Sequence, residues 1–590
     1  MKSRNIVLDV FKGLAILSVI LYHAKILTYG YLGVDIFFVI GGYLITKSII
    51  SSIEKGKFSY FDFVSRRLVR LWPLAIIISI VSFVIGYYVM LPSAFKNTCY
   101  SAIGTCTFTN NIIQYITSSS YWVIINEFKP LMHTWYLGIL FQFYLLYPLV
   151  FIFSRHFCKN YIRTSIIILI IISILSLTTY ILPNEDESIN FYLLHARLYE
   201  LIIGGIVALT YLKLIHKVNH NILPILLCLF FILLCINDTY DITKARLLFT
   251  VILTVVIILY SERNTIRLPY TNGGGMFLTF VASLGIASYS LYLWHQVILA
   301  FYRYIINYEL NIGAYILTIG LSLLIGYLSY LYIEKPLSSY FENSRRNRLF
   351  ILALCFTATI ILSWFSVKFY LTEGVVRDVP ELDIHLNNPQ SYVPGSYNSQ
   401  IEDLYKKDFP PYNGKQNVLV VGDSYARDWI NILLESKIKN INIVYSFDKD
   451  KDLRKKIAQA DIIFLANHAP ADKYVDYLPA MLSKKFYRVG HKDYGNVIGT
   501  IYNQAKITDN YKITIPYRND TINAAERIEY KGMYINLMDS IRNPDGSICL
   551  FTQDKKLISN DGIHLTKAGA QKYAQLMNLS SIFSRNDLDK

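Results

Sequence analysis

Along the first two thirds of the chain, apolar positions run on for about twenty residues at a time, the length that crosses a bilayer core as a helix. Such runs fall at 8–28, 33–52, 74–92, 135–153, 164–182, 191–212, 221–237, 246–261, 283–306, 312–333 and 349–371, and they predict about eleven membrane helices. The polar segments between them alternate in charge. "KGK…RRLVR", "SRHFCKNYIR", "KLIHK", "ERNTIR" and "ENSRRNR" are basic, whereas "PNEDES" is acidic and 93–132 is almost uncharged. Lys and Arg collect on cytoplasmic loops, so the N-terminus is expected inside. An odd number of spans then places everything after about residue 372 outside the cytoplasm. The first run, "VLDVFKGLAILSVILYHA", has charges embedded in it and no small-residue cleavage site after it. It is expected to stay as a membrane helix rather than be removed as a signal peptide.

Beyond residue 372 the pattern changes. "PELDIHLNNPQSYVPGSYNSQ" is polar and reads as a linker or extension. Strand-like "NVLVVGDS", "ADIIFLANH" and "KITIPY" follow, interleaved with amphipathic stretches such as "ARDWINILLESKIK". Strands alternating with helices predict a parallel α/β domain. The expected organisation is a membrane core over 1–340, an additional membrane helix over 341–372, an extracytoplasmic linker or extension over 373–414 and the α/β domain over 415–590.

Composition supports this division. The chain has 590 residues, 53% hydrophobic and only 17% charged, too apolar for an ordinary soluble protein. A net charge of +15 can mark a nucleic-acid partner, but basic cytoplasmic loops produce the same excess, so membrane lipid and not nucleic acid is the expected surrounding. The seven cysteines show no metal-type spacing, and no metal site is expected. Cys99 and Cys106 fall in the outer segment and are expected to form a disulfide; Cys549 is expected to remain a thiol.

Candidate chemistry appears first in the α/β domain. "VLVVGDSYARDW" is a buried strand that stops at Gly422-Asp423-Ser424 and runs into a helix. That turn exposes Ser424 at the ligand-binding edge of an α/β sheet, where the helix amides can hold an oxyanion. Serine needs a base that is itself oriented by an acid. "NDGIHLTKAG" near the chain's end supplies Asp561 and His564, three apart. Alone, "GDS" is a capped turn and Asp-x-x-His is common on surfaces; together, in this order, they point to catalysis. The pattern over roughly 415–580 resembles the SGNH (GDSL-like) hydrolase and acyltransferase family. The resemblance implies Ser424 as nucleophile, His564 as base, Asp561 as its partner, and an SGNH-hydrolase-like fold. Asn467, after "DIIFLANH", and Asn496, in "VGHKDYGNVIG", are rival candidates for the oxyanion donor. His468 and His491 read as loop residues.

The membrane part carries ionisable groups that need a reason, because charge in lipid is costly. Asp9 and Lys12 lie three apart on one helix face and can neutralise each other. His23 lies eleven residues further along. The ordered series "LDVFKGLAILSVILYHA…GYLGVDIFFVIGGYLIT", "FSYFDFVSRRLVRLWP", "HTWYLGILFQFYLLYP", "FYLLHARLYELIIGG", "IASYSLYLWHQ" and "YLYIEKPL" resembles the acyltransferase-3 family of membrane O-acyltransferases over residues 5–340. Some members of that family carry an SGNH domain after one extra helix. The resemblance implies acyl transfer, usually of acetyl from cytoplasmic acetyl-CoA, to a hydroxyl of a cell-envelope polysaccharide or lipid-linked glycan. It matches His23 to an essential histidine, either a base or a transient acyl carrier. It matches Arg66, Arg67 and Arg70 to an "RRxxR" segment suited to CoA phosphates, although a solvated positive-inside face would hold the same charges. His133, Trp135, Gln142, Glu200, Trp294, His295 and Glu334 also match. Lys12 stands where arginine is common, "GG" at 41–42 replaces Ser-Gly, and Leu140 and Phe141 replace acidic residues.

The function this implies is O-acetylation of an envelope glycan such as lipopolysaccharide O-antigen, by a multi-pass protein of the bacterial inner membrane with its SGNH domain periplasmic or extracellular. No bound cofactor is expected; acetyl-CoA is the donor. A membrane-tethered glycan esterase uses the same Ser-His-Asp set, and a transporter or sensor explains the helices but not that set.

Overall fold

The computed structural model describes residues 5–118, 126–183, 187–214, 225–226, 229–230, 234, 243–263, 273–307, 310–341, 344–388, 396–447, 449–468, 474–495, 498–516 and 520–583. The chain divides into two compact units, one formed by Met1–Met90 with Ala94–Leu371 and one consisting chiefly of Thr372–Lys590.

The first unit is helical: α1 (Ile6–His23), α2 (Gly33–Glu54), α3 (Tyr60–Val89), α4 (Pro92–Cys106), α5 (Asn110–Ser118), α6 (Trp135–Phe157), α7 (Tyr161–Ile181), α8 (Glu187–Tyr192), α9 (Leu194–Leu214), α10 (Thr243–Arg263), α11 (Gly273–Ile286), α12 (Ser288–Ile305), α13 (Ile312–Ser329), α14 (Lys335–Phe341) and α15 (Arg345–Leu371). Among the described residues nine helical stretches are long and apolar enough to cross a membrane. Gly275–Ile286 and Ser288–Ile305, bent by 76° at their junction, would make a tenth. The expected run at 221–237 lies mostly outside the described residues. Polar side chains cap the helix starts: Asn5 accepts from Leu8 N and Ser59 from Asp62 N. Because Ser59 caps α3, that helix starts well before the expected position 74 and carries Arg66, Arg67 and Arg70 on its first turns, with Pro73 inside it.

Close helix crossings depend on absent side chains. A Cβ on Gly42 of α2 would stand 1.8 Å from Leu201 O of α9, and one on Gly204 of α9 would stand 2.0 Å from Val39 O of α2. The two backbones therefore touch, as small residues permit between membrane helices. Cys99 and Cys106 correct one expectation. Both are buried free thiols on α4. Seven residues of helix separate their Cα atoms by about 10 Å, beyond the reach of a disulfide.

The second unit holds α16 (Ser396–Tyr405), β1 (Gln416–Gly422), α17 (Ser424–Glu435), β2 (Ile441–Ser446), α18 (Leu453–Gln459), β3 (Ile462–Ala466), α19 (Leu478–Leu482), β4 (Lys485–Val489), α20 (Ile498–Thr508), β5 (Thr514–Pro516), α21 (Asp520–Tyr530), β6 (Tyr534–Ile535), β7 (Ser547–Cys549), α22 (Lys567–Leu576) and α23 (Ser580–Phe583). The main sheet has the order β2-β1-β3-β4-β6 and is parallel throughout. "KITIPY" contributes β5, which pairs antiparallel with β7 in a separate ribbon. Val418–Val421 are fully buried, as a central strand covered on both faces requires. The polar extension before β1 packs onto this unit: Val379, Ile384 and Ile401 are buried, and Glu381 O accepts from Leu557 N.

Candidate functional site

The C-terminal edge of β1 and β3 brings the α/β residues together. β1 ends at Gly422 with φ +143°, where a Cβ would stand 1.8 Å from Ala466 O at the end of β3. Only glycine allows that backbone and that approach. Asp423 then secures the turn. Its Oδ1 accepts from Tyr425 N at 2.9 Å, capping α17, and its Oδ2 accepts from His468 N at 2.8 Å. Ser424 opens α17 at the expected sheet edge but is buried there, not exposed as the turn alone suggested.

Asp561 and His564 form the expected pair. His564 Nδ1 lies 2.7 Å from Asp561 Oδ2, while Asp561 Oδ1 accepts from the backbone N–H groups of Ile563 and His564 at 2.9 and 2.8 Å. A carboxylate accepts only from a protonated nitrogen, so Nδ1 carries the hydrogen and Nε2 is the basic atom. Burial pushes the Asp561 carboxyl up, but the His564 imidazole and the two amides outweigh it and hold the group below its ordinary value. The link to Ser424 runs through Asp428, one helical turn further along α17, whose Oδ2 accepts from Leu565 N at 3.1 Å. His564 is thus held at the same end of α17 as Ser424.

Asn467 follows Ala466, the residue paired with Gly422 in the sheet. Its Oδ1 accepts from Arg488 Nη1 at 2.7 Å. Arg488 in turn donates from Nε and Nη2 to Glu526 Oε1 at 3.1 and 2.6 Å. With its oxygen fixed on the guanidinium, the amide turns Nδ2 away from Arg488 as a donor. Asn496 lies outside the described residues. His491 Nε2 lies 3.5 Å from Glu526 Oε1. Asp423, Asn398, Asp428, Arg488 and Lys492 support this site without having been singled out in sequence. A charged Asp428 on the buried face of α17, among Ala426, Trp429 and Ile432, was the available signal.

In the helical unit, Asp9 and Lys12 pair at 2.7 Å. His23 closes α1, and its carbonyl accepts from Arg303 Nη2 at 3.0 Å. Its ring centroid is 5.1 Å from that of His295, which is 5.2 Å from that of His133. His23 and His133 line a cavity of about 1100 Å³ with Trp135, Tyr192 and Arg197. Arg197 Nη1 bridges Asp35 and Glu200 at 2.8 and 3.0 Å. Arg66, Arg67 and Arg70 line a different cavity of about 410 Å³ with Lys57 and Lys335. Arg70 is held by Glu334, whose Oε1 accepts from Nε and Nη2 at 3.2 and 3.1 Å and whose Oε2 accepts from Ser290 Oγ at 2.7 Å. A smaller cavity of about 160 Å³, which Lys12 also lines, shares Arg67 and Arg70 with the second and Val34 and Tyr292 with the first. Leu140 lines this middle cavity, and Phe141 stacks on Phe108 with centroids 4.6 Å apart. Position 141 is therefore part of aromatic packing, and only position 140 would turn an acidic side chain toward the arginines.

Comparison with known proteins adds relatives to this geometry. A family model described as an acyltransferase domain matches residues 5–331. The O-acetyltransferase OatA of Staphylococcus aureus (strain NCTC 8325) is 31% identical over 372 residues, 56% of this chain and 56% of the relative. A putative O-acetyltransferase of Staphylococcus aureus (strain COL) is 30% identical over 373 residues, again 56% of each. The chain spans just over half the length of these relatives. No solved structure matches it.

Proposed function

The chain belongs to the acyltransferase domain family, and from that membership we propose that it is an O-acetyltransferase that carries acetyl from cytoplasmic acetyl-CoA to hydroxyls of a cell-envelope polysaccharide, lipopolysaccharide O-antigen among them. The observation that carries this reading is the series of three cavities, which share walls from the arginine cluster to His23. Arg66, Arg67 and Arg70 suit the phosphates of CoA through charge-assisted bonds. Asp9 with Lys12 supports the same passage. The acetyl carbon leaves the CoA sulfur for an oxygen nucleophile or His23, and the nucleophile's proton goes to the thiolate by way of a base. The relatives named O-acetyltransferase support acetyl as the group moved.

The α/β unit then acts as an SGNH-type transferase. Ser424 Oγ takes the acetyl as His564 Nε2 takes its proton, and the atom that gave up the acetyl, the carrier's oxygen or the His23 ring nitrogen, receives that proton. The acceptor sugar's hydroxyl next gives its proton to His564 and takes the acetyl from Ser424, whose Oγ is reprotonated. Asn467 Nδ2 and the helix amides stabilise the oxyanion. The protein sits in the bacterial inner membrane with its N-terminus cytoplasmic and this unit periplasmic or extracellular.

Inverted vesicles supplied with labelled acetyl-CoA test the proposal. Label is expected in the envelope glycan. Release of acetate from pre-acetylated glycan with no incorporation would make the protein an esterase instead, and neither event would leave a transporter or sensor.

A further inference from the structure

We propose that Asp428 and Lys492 are a positioning pair that holds His564 in register with Ser424; this rests on the reading of Ser424 and His564 as reacting groups. Both peptide groups flanking His564 are gripped from inside the domain. Ile563 O accepts from Lys492 Nζ at 2.5 Å, and Leu565 N donates to Asp428 Oδ2 at 3.1 Å. Asp428 and Lys492 also bond each other at 2.6 Å, with both side chains 0% exposed.

The pair is anchored on the nucleophile's side as well. Asp428 lies on α17, one turn after Ser424. Asn398 Nδ2 donates to Ser424 O at 2.8 Å and to Asp428 Oδ1 at 2.6 Å. Tyr425 OH donates to Lys492 O at 2.8 Å, and Lys492 Nζ stands 4.1 Å from the centre of the Tyr425 ring. A further bond, Tyr494 N to Gly562 O at 2.8 Å, ties the segment after β4 to the Asp561–His564 loop. Burying two charges is a poor route to stability, because an apolar pair of similar volume serves as well or better. What the ions supply that leucine and methionine would not is a set of directed bonds to the main chain on either side of His564.

The test uses the full-length protein in detergent with para-nitrophenyl acetate, whose acetyl passes from the phenolic oxygen to Ser424 Oγ and then to water. The double variant Asp428→Leu/Lys492→Met removes both charges together. It is expected to remain folded at a lowered unfolding temperature, because Ile563 O, Leu565 N and Asn398 Nδ2 lose these partners, and to keep KM while kcat falls about 10²-fold, the scale of a small misplacement of a reacting group. A folded double variant with wild-type kcat overturns the inference. Should it fail to fold, Asp428→Asn/Lys492→Gln keeps the shapes and some of the bonds; a reduced kcat at unchanged KM is expected, and wild-type kcat again overturns the inference. Ser424→Ala separates the two levels. If it retains full activity, the reading of the site itself fails. If it is inactive beside a fully active double variant, only the positioning role fails.

Discussion

Asn467 illustrates how a single side chain is aimed by its neighbours. Arg488 fixes its oxygen and Glu526 fixes Arg488, so the amide's donor end is presented in one orientation. Asn467→Ala is expected to lower kcat for ester hydrolysis about 10²–10³-fold with KM unchanged, as loss of one oxyanion donor does; a wild-type rate would transfer that role elsewhere. Asp561 gives a pH prediction. Its carboxyl is held below the ordinary value. The stability it contributes is therefore full above its unfolded pKa of about 3.9 and lost as pH falls through the lower folded value. Unfolding temperature should drop over that acid range in the wild type and less steeply in Asp561→Asn; identical slopes would contradict this. Ser424, Asp561 and His564 were legible because each sits in a short, recognisable run. Asp428 and Lys492 were not, because their partners lie far along the chain: Asp428 meets Leu565 across 137 residues.

At the scale of elements, long apolar runs were legible and short strands were not. β4 carries two charges in five residues, Lys485 and Arg488, and β6 is two residues long, so neither carries a pattern that separates it from loop. "KITIPY" has strand composition, but composition does not choose a sheet, and it joined the ribbon with β7. The paired glycines of α2 give the sharpest element-scale prediction. A Cβ on Gly42 would strike the backbone of α9, whereas one on Gly41 meets only side chains, at 3.9 Å or beyond. Gly42→Ala is expected to destabilise the helical unit by about 1–3 kcal/mol, the usual cost of overpacking. Gly41→Ala should be neutral. Thermal unfolding of the two purified variants distinguishes them; equal midpoints would mean that α2 and α9 can part without cost.

For the whole molecule, the division into a helical and an α/β unit followed from the change of hydrophobic period. The cavities did not, since they are bounded by residues from many helices that no local pattern links. Replacing Arg66, Arg67 and Arg70 together by Ala should raise the KM for acetyl-CoA at least tenfold, the loss of roughly 1.4 kcal/mol or more in charge-assisted bonding. An unchanged KM in a normally expressed triple variant would return these charges to the role of a solvated basic face. The most direct measurement is mass spectrometry of the peptide containing Ser424 after the full-length protein, purified free of acceptor glycan so that onward transfer stops, is supplied with acetyl-CoA. An acetyl ester on Ser424 that disappears in His23→Ala is the expected result. Glycan acetylation at the normal rate in Ser424→Ala, with no acetyl ever found on Ser424 in the other proteins, would contradict transfer through the α/β unit.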